Sequence, residues 1–396
     1  MRASAVWLAL LCLLPVPAGA VGPDPSSSML PPAETRMLVL RGDPARPVNL
    51  KVRLFLPPGA GPFPLVVWNH GSDGRGADQD MHNVGTHYGT YYFLARGYAV
   101  AHPLLRGYGG SGGRIQVSGC DMESLGRQDA HDIAAVIAQL EQQPQISGQR
   151  VLVAGGSFGG WNTLAVGALN DPHVAALVNF YGGVRTSNCS ASDTALVSGA
   201  RDFGRVTRIP SLWLYGDNDR LFPRATWQAM YTAYRAEGGP AELVPFGAFM
   251  SNAHKLLSYP QGIAVVSPRL DGFLSRLGLP TRVLYPQYMP SSQPRRTQFA
   301  AVDDVAAVPY LSEQGREAYR AFLSRPFPRA AVLAPGGVLA SANGGFDPLA
   351  RALAICQRYS RQCQPYAVDG DVVWKAAALP KQAHLRSRTV PAPARP

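Results

Sequence analysis

The chain has 396 residues, of which 46% are hydrophobic and 16% charged, with a net charge of +11. That length supports one large core and a smaller appendage, because single cores stop growing near ~250–300 residues, and the apolar share excludes a disordered chain. The basic residues are scattered with no run of five or six, which argues against a nucleic-acid footprint and for a basic globular protein.

Residues 1–20 open with Arg2, run through apolar residues from Ala5 to Val16 and end Pro17-Ala18-Gly19-Ala20. A short basic start, an apolar middle and a small-residue ending predict a secretory signal peptide cleaved after Ala20, too short for a stable membrane anchor. The mature protein is then exported, either to a periplasm or out of the cell. Five cysteines are present, and Cys12 would leave with the leader. The even set that remains, Cys120, Cys189, Cys356 and Cys363, predicts disulfides in an exported chain. Of the possible connectivities, Cys120–Cys189 with Cys356–Cys363 is expected, the second pair being close in sequence and far beyond the first.

Residues 21–45 read as a lead-in whose first part is rich in Pro and Ser. Thr35–Arg41 and Asn49–Phe55 alternate apolar and polar residues, as a half-buried hairpin does. Short apolar runs follow at Pro64–Asn69, Tyr98–Pro103, Val151–Ala154, Ala175–Phe180, Leu212–Tyr215 and Leu243–Phe246. Between them, Leu125–Gln143 carries Ile133, Val136, Ile137 and Leu140 at helical spacing and stops before Pro144. Trp161–Leu169, Ala225–Arg235 and Ile263–Leu277 are further helices, and Tyr88, Tyr91, Tyr92 and Phe93 are the core face of a first helix. Strand and helix in regular alternation predict an α/β domain over residues 46–278, with a mostly parallel sheet covered by helices on both faces. The pattern then loosens into a linker over residues 279–325. Residues 326–378 read as a small α+β module, a hairpin, a helix and a strand or two, stapled by Cys356–Cys363. Residues 379–396 form a basic, Pro-rich tail.

The strongest chemical signal is Val151-Leu152-Val153-Ala154-Gly155-Gly156-Ser157-Phe158-Gly159-Gly160-Trp161. It is an apolar strand, a Gly-x-Ser-x-Gly turn and a helix start. Such a turn exposes the serine hydroxyl, and the glycines avoid clashes with neighbouring backbone. The helix N-terminus behind Ser157 favours developing negative charge. A serine hydroxyl needs a base and an acid that orients that base, and after such an elbow these follow in the order acid, then His. Of the eight histidines only His254 and His384 come late enough, and His384 lies in the tail, so His254 is the expected base. For the acid, the turn after Leu212–Tyr215 offers Asp217 and Asp219. Oxyanion stabilisation requires backbone amides, expected from Phe158 and from Ser72 in the loop after His70-Gly71. His70 itself is a structural loop residue.

Other constellations carry less. Asp73, Asp78, Asp80, His82 and His87 have no standard zinc spacing and read as a polar loop, not a metal site. Asp129, His131 and Asp132 open a helix and receive no chemistry. Arg106–Gly113 is glycine-rich but lacks the Lys-Ser/Thr ending of a phosphate loop.

The strand ending Asn69-His70-Gly71, the Arg106–Gly113 loop, the Ser157 elbow, the Asp219 turn and His254 together resemble the dienelactone hydrolase-like and prolyl oligopeptidase-like branch of the α/β hydrolases. The resemblance covers roughly residues 45–278. It favours Asp219 over Asp217, because Asp219 stands in the Gly-x-x-Asp-x-x-x-Pro setting of the family acid. Dienelactone hydrolases use a Cys nucleophile where this chain has Ser157. The resemblance implies hydrolysis of an ester or amide through an acyl-enzyme, with no cofactor; together with the leader, the expected activity is that of a secreted serine hydrolase cleaving a carboxylic ester of a small molecule. Two other readings remain open. A prolyl-oligopeptidase-like peptidase acting on short peptides is one, although residues 21–45 cannot supply the large extra domain of those enzymes. A non-catalytic binding protein on the same fold is the other. Residues 183–208 are expected to form a cap over the acyl pocket.

Overall fold

A computed structural model describes residues 33–375 apart from Asn83, 115–118 and Ser187. The expected leader over residues 1–20 with Cys12, the start of the lead-in, and the tail over residues 379–396 with His384 lie outside the described residues. Among those described, residues 33–293 with 344–350 form one compact unit, and residues 294–343 with 351–375 form a second.

The first unit is an eight-stranded sheet with helices between its strands. In chain order it contains β1 (Glu34–Arg41), β2 (Asn49–Leu56), β3 (Phe63–Asn69), α1 (Tyr88–Ala95), β4 (Ala99–Pro103), α2 (Met122–Leu140) and β5 (Ile146–Gly156). There follow α3 (Phe158–Gly167), β6 (Val174–Phe180), α4 (Ser192–Val206), β7 (Ser211–Tyr215), α5 (Arg224–Ala236), β8 (Ala241–Pro245) and α6 (Gln261–Arg276). The strand order is β1-β2-β4-β3-β5-β6-β7-β8. β1 pairs antiparallel with β2, and β2 with β4, while every pairing from β4/β3 to β7/β8 is parallel. This is the α/β-hydrolase fold.

The burial follows from that topology. β4 and β7 are buried at every residue, as parallel strands covered on both faces must be. β1 lies at the edge, with Met37 and Val39 more than half exposed. The sheet therefore begins at Glu34, inside the segment read as a lead-in, because the alternation of Glu34–Arg41 needs only one partner strand. All eight residues of α1 are buried, which makes Tyr88, Tyr91, Tyr92 and Phe93 core.

The expected cap over 183–208 is mostly something else. Ser192–Val206 is α4, with Leu196, Ala200 and Phe203 buried at helical spacing. Gly199 leaves room for Trp161 of α3, whose ring would lie 2.8 Å from a Cβ there. Its two glycines and polar residues hide a helix that tertiary packing stabilises. Cys120 and Cys189 are bonded, tying the approach to α2 to the segment before α4.

The second unit holds α7 (Glu313–Leu323), β9 (Arg329–Ala334), β10 (Val338–Asn343), most of α8 (Pro348–Gln357), β11 (Gln364–Val368) and β12 (Asp371–Val372). Its sheet is antiparallel in the order β10-β9-β11-β12. Tyr319, Phe322, Leu333 and Tyr366 form its core, and Cys356–Cys363 is bonded. Helix α7 falls within the stretch read as a linker. Its apolar stripe is short, but Tyr319 and Phe322 are fully buried.

Candidate active site

Five parallel strands of the first unit deliver their C-terminal ends to one edge of the sheet, the place where open α/β sheets bind ligands. β3 leads into His70-Gly71-Ser72, β5 into Ser157 and β6 into Tyr181. β7 leads into the turn carrying Asp219, and β8 into the loop that reaches His254.

Ser157 stands between β5 and α3 at φ 57°, a conformation that non-glycine residues rarely hold. Close backbone contacts enforce it. A Cβ on Gly155 would lie 2.3 Å from the Gly159 carbonyl oxygen, and one on Gly159 would lie 1.9 Å from that of Asn69. The glycines are thus what lets β5, α3 and the end of β3 converge. The Ser157 carbonyl accepts from the amides of Gly160, Trp161 and Gly183, and this fixes the elbow. Phe158 is the first residue of α3, so its amide has no carbonyl within the helix to bond. Gly71 runs beside Ser157, near enough that a Cβ on it would be 3.5 Å from the serine Cβ. Ser72, next in the chain, has its hydroxyl held by Tyr108, which donates to it at 2.8 Å.

His254 and Asp219 are brought together from loops 35 residues apart, with His254 Nδ1 2.9 Å from Asp219 Oδ2. The Asp219 side chain is fully buried. Its Oδ1 accepts from the amides of Leu221 at 2.8 Å and Phe222 at 3.0 Å. Asn252 couples the two loops, accepting with Oδ1 from the amides of His254 at 3.1 Å and Arg220 at 3.2 Å. The imidazole is walled by Tyr181 and Phe222, with ring centroids 4.8 and 5.6 Å away. Asp217 sits apart, with its side chain exposed and 3.7 Å from Arg224.

Two cavities meet at Ser157. One, of about 440 Å³, is bounded by His254, Tyr181, Leu257, Trp68, His87 and His102. The other, of about 470 Å³, is bounded by Phe158, Leu125, Tyr108, Val184, Arg185 and Phe222. Ser72, Asp73 and Leu221 border both. Of the segment expected to cap the site, only Gly183–Thr186 and Asn188 reach a cavity wall.

The neighbouring histidines are not bases. His70 uses both ring nitrogens, with Nδ1 2.9 Å from the Gly71 carbonyl and Nε2 accepting from the Leu105 amide at 3.1 Å. Burial pushes His70 down to about 4, His87 to about 3 and His102 well below the ordinary range. Each is neutral at neutral pH. The polar loop is likewise engaged: Asp73 pairs with Arg75, Asp80 with His82, and His87 caps α1. Among the described residues no three His, Cys, Asp or Glu side chains are grouped so as to hold a metal ion.

Sequence reasoning missed Tyr108, Tyr181, Phe222 and Asn252. Tyr108 lies in the Arg106–Gly113 loop, read only as a glycine-rich turn. Asn252 was visible two residues before His254, at a position where a side-chain oxygen caps a turn.

Residues 46–199 match the family model described as X-Pro dipeptidyl-peptidase (S15 family). Among solved structures, the chain is similar to a protein described as a dienelactone hydrolase from Klebsiella pneumoniae, at 20% identity over 61% of this chain and 99% of that one, with a TM-score of 0.42. It is similar to the Pyrococcus furiosus esterase Pf2001 at 17% identity, over 65% and 95%, with a TM-score of 0.44. The acylaminoacyl peptidase of Pyrococcus horikoshii matches at 14% identity, over 65% of this chain and 43% of that one, with a TM-score of 0.45. No curated protein matches the sequence significantly.

Proposed function

We propose that this chain, a member of the α/β-hydrolase superfamily, is a serine hydrolase that cleaves a small carboxylic ester with Ser157 as nucleophile, His254 as base and Asp219 as the acid that orients it. The observation that carries the reading is the Asp219–His254 pair at 2.9 Å, with its imidazole and the strained Ser157 bordering one cavity. A buried carboxylate on Nδ1 holds the proton there and leaves Nε2 free to accept one.

In this mechanism Ser157 Oγ attacks the ester carbonyl while His254 takes its proton. The tetrahedral oxyanion faces the amides of Phe158 and Ser72. His254 then returns the proton to the departing alkoxide, leaving an acyl-enzyme. Water enters, gives its proton to His254 and attacks the acyl carbon, and Ser157 leaves with that proton. The cycle needs no cofactor. We further propose export, with residues 1–20 as the leader. The two disulfides are compatible with an oxidising compartment, and among the described residues no helix is long and apolar enough to cross a membrane.

A fluorophosphonate probe tests the core of the proposal without any guess at substrate. One covalent adduct is expected on the native protein and none on Ser157→Ala, by intact mass. A folded native protein without adduct would favour the non-catalytic reading and remove the catalytic roles. The peptidase reading is favoured by one observation, the match to a dipeptidyl-peptidase family model over residues 46–199. Rates on 4-nitrophenyl esters against Xaa-Pro 4-nitroanilides separate the two.

A further inference from the structure

The two cavities at Ser157 are not equivalent, and the difference assigns them to the two halves of a substrate; the assignment rests on the hydrolase reading above. In an acyl transfer the base must hand its proton to the departing group, so the departing group occupies the cavity that His254 borders. His254 borders the cavity of Trp68, His87 and His102 and is absent from the wall of the other. The acyl portion is then left to the cavity of Leu125, Phe158 and Val184.

Three rings cluster in the wall of the first cavity. Trp68 and His87 lie against one another with ring centroids 4.5 Å apart, and His102 is 5.6 Å from His87. Met81, Val84 and Leu257 add apolar surface, and Asp73, Gln79 and Asp80 border the same cavity. The His87 Nδ1 accepts from the Thr90 amide at 3.3 Å. A neutral imidazole with Nδ1 accepting carries its proton on Nε2, which leaves that N–H for whatever enters. His102 Nε2 is taken by Thr90 Oγ1 at 3.0 Å, while its fully buried Nδ1 has no hydrogen-bond partner among the described residues. Buried polar atoms without partners are rare, and His102 borders this cavity, which is large enough for a ring-sized group. Burial keeps both imidazoles uncharged, so they offer hydrogen bonds without a charge for an anion, and the Asp73 and Asp80 carboxylates that also border the cavity are paired with Arg75 and His82.

We propose that the cavity walled by Trp68, His87 and His102 is the leaving-group pocket, and that it selects ring-sized, uncharged alcohols carrying a carbonyl-type acceptor that His87 Nε2–H engages. Where the acyl-enzyme meets such an alcohol in place of water, the alcohol oxygen bonds to the acyl carbon. Its proton passes through His254 to Ser157 Oγ as the serine ester breaks.

That reversal supplies the test. The native enzyme is acylated from 4-nitrophenyl acetate in the presence of equal 4-acetylbenzyl and 4-isopropylbenzyl alcohol, which have the same shape and differ in the carbonyl. The ratio of the two acetate products is measured. A preference of about tenfold for the acetyl alcohol is expected, the worth of one neutral hydrogen bond, and it should collapse to near unity in His87→Asn. Asparagine retains a side-chain cap for α1, and unchanged circular dichroism confirms the fold. A ratio near unity in the native enzyme, or a preference that survives His87→Asn, overturns the proposal. A second measurement needs no turnover: calorimetric titration of Ser157→Ala with each alcohol should show the same preference. If it does while the native protein takes no fluorophosphonate, the pocket chemistry stands and its role as a leaving-group site falls with the hydrolase reading.

Discussion

Asp217 and Asp219 stand two residues apart on one turn, and the structure gives them opposite surroundings. Asp219 is sealed from solvent, receives two backbone amides on one oxygen and faces His254 with the other. Asp217 is exposed beside Arg224, a pairing worth little. If Asp219 holds the imidazole, Asp219→Asn should lower kcat by about 10³–10⁴-fold, because an amide there presents the wrong partner to Nδ1. Asp217→Asn should stay within about twofold, as expected of an exposed site. Steady-state kinetics on one activated ester decides it, and comparable losses in the two variants would remove Asp219 from the triad. The sequence alone left both acids open, and only the Gly-x-x-Asp-x-x-x-Pro resemblance chose between them. Ser157 was legible because its strained turn demands glycines at fixed offsets. Tyr108 and Tyr181 were not, since a tyrosine that packs on a loop of the candidate site looks like any other core aromatic until the strands are ordered.

Helices α2 and α3 meet through a polar contact inside the core. Asp129 of α2 accepts from the Asn162 side chain of α3 at 3.1 Å, while Asp132, one turn on, is held by Arg106 and the Asp43 amide. Burial above all, and then the Asp132 charge, pushes Asp129 up to about 7. The folded state therefore holds a proton that the unfolded chain gives up near 3.8. The contribution to stability is complete below that value and is lost as pH rises through about 7. Asp129→Asn keeps an oxygen for Asn162 and removes the charge. It should raise stability at pH 8.5 by on the order of 2 kcal/mol and give no gain at pH 4. Urea denaturation at both pH values measures this, and an equal shift at the two would refute the protonation argument. The long amphipathic α2 was visible from its apolar spacing, as were the short buried strands. α4 and α7 were not, because each has a thin apolar stripe and gains its helical state from the surface it packs against. The β1–β2 hairpin was visible from its alternation, but its membership of the main sheet depends on β2 pairing with β4, which no local pattern reveals.

Two constraints act over the whole chain, and they respond to different conditions. The Cys120–Cys189 bridge closes a separation of 69 residues, which by the chain-entropy model removes about 4 kcal/mol of freedom from the unfolded state; the Cys356–Cys363 bridge closes only 7 and removes less. Neither effect depends on pH. The buried histidines supply the pH dependence. His70, His87 and His102 lie on or beside β3 and β4, at the centre of the sheet, and burial holds all three below their unfolded value of 6.5. The unfolded chain thus binds protons there that the folded chain refuses. Their contribution is complete above 6.5 and drains away as pH falls toward about 4 for His70 and about 3 for His87. Each such group steepens the acid limb by about 1.4 kcal/mol per pH unit, and the raised Asp129 opposes one of the three. Net stability is therefore expected to fall steadily between pH 6.5 and 5. His102→Gln, which retains a hydrogen-bonding side chain but cannot titrate, should be less stable than the native protein at pH 7 through lost packing. Its acid limb should nonetheless be shallower by about 1.4 kcal/mol per pH unit. Urea midpoints at half-unit steps from pH 5 to 7 give both slopes. Parallel slopes would mean that His102 does not carry the acid sensitivity, whatever the variant's stability at neutral pH.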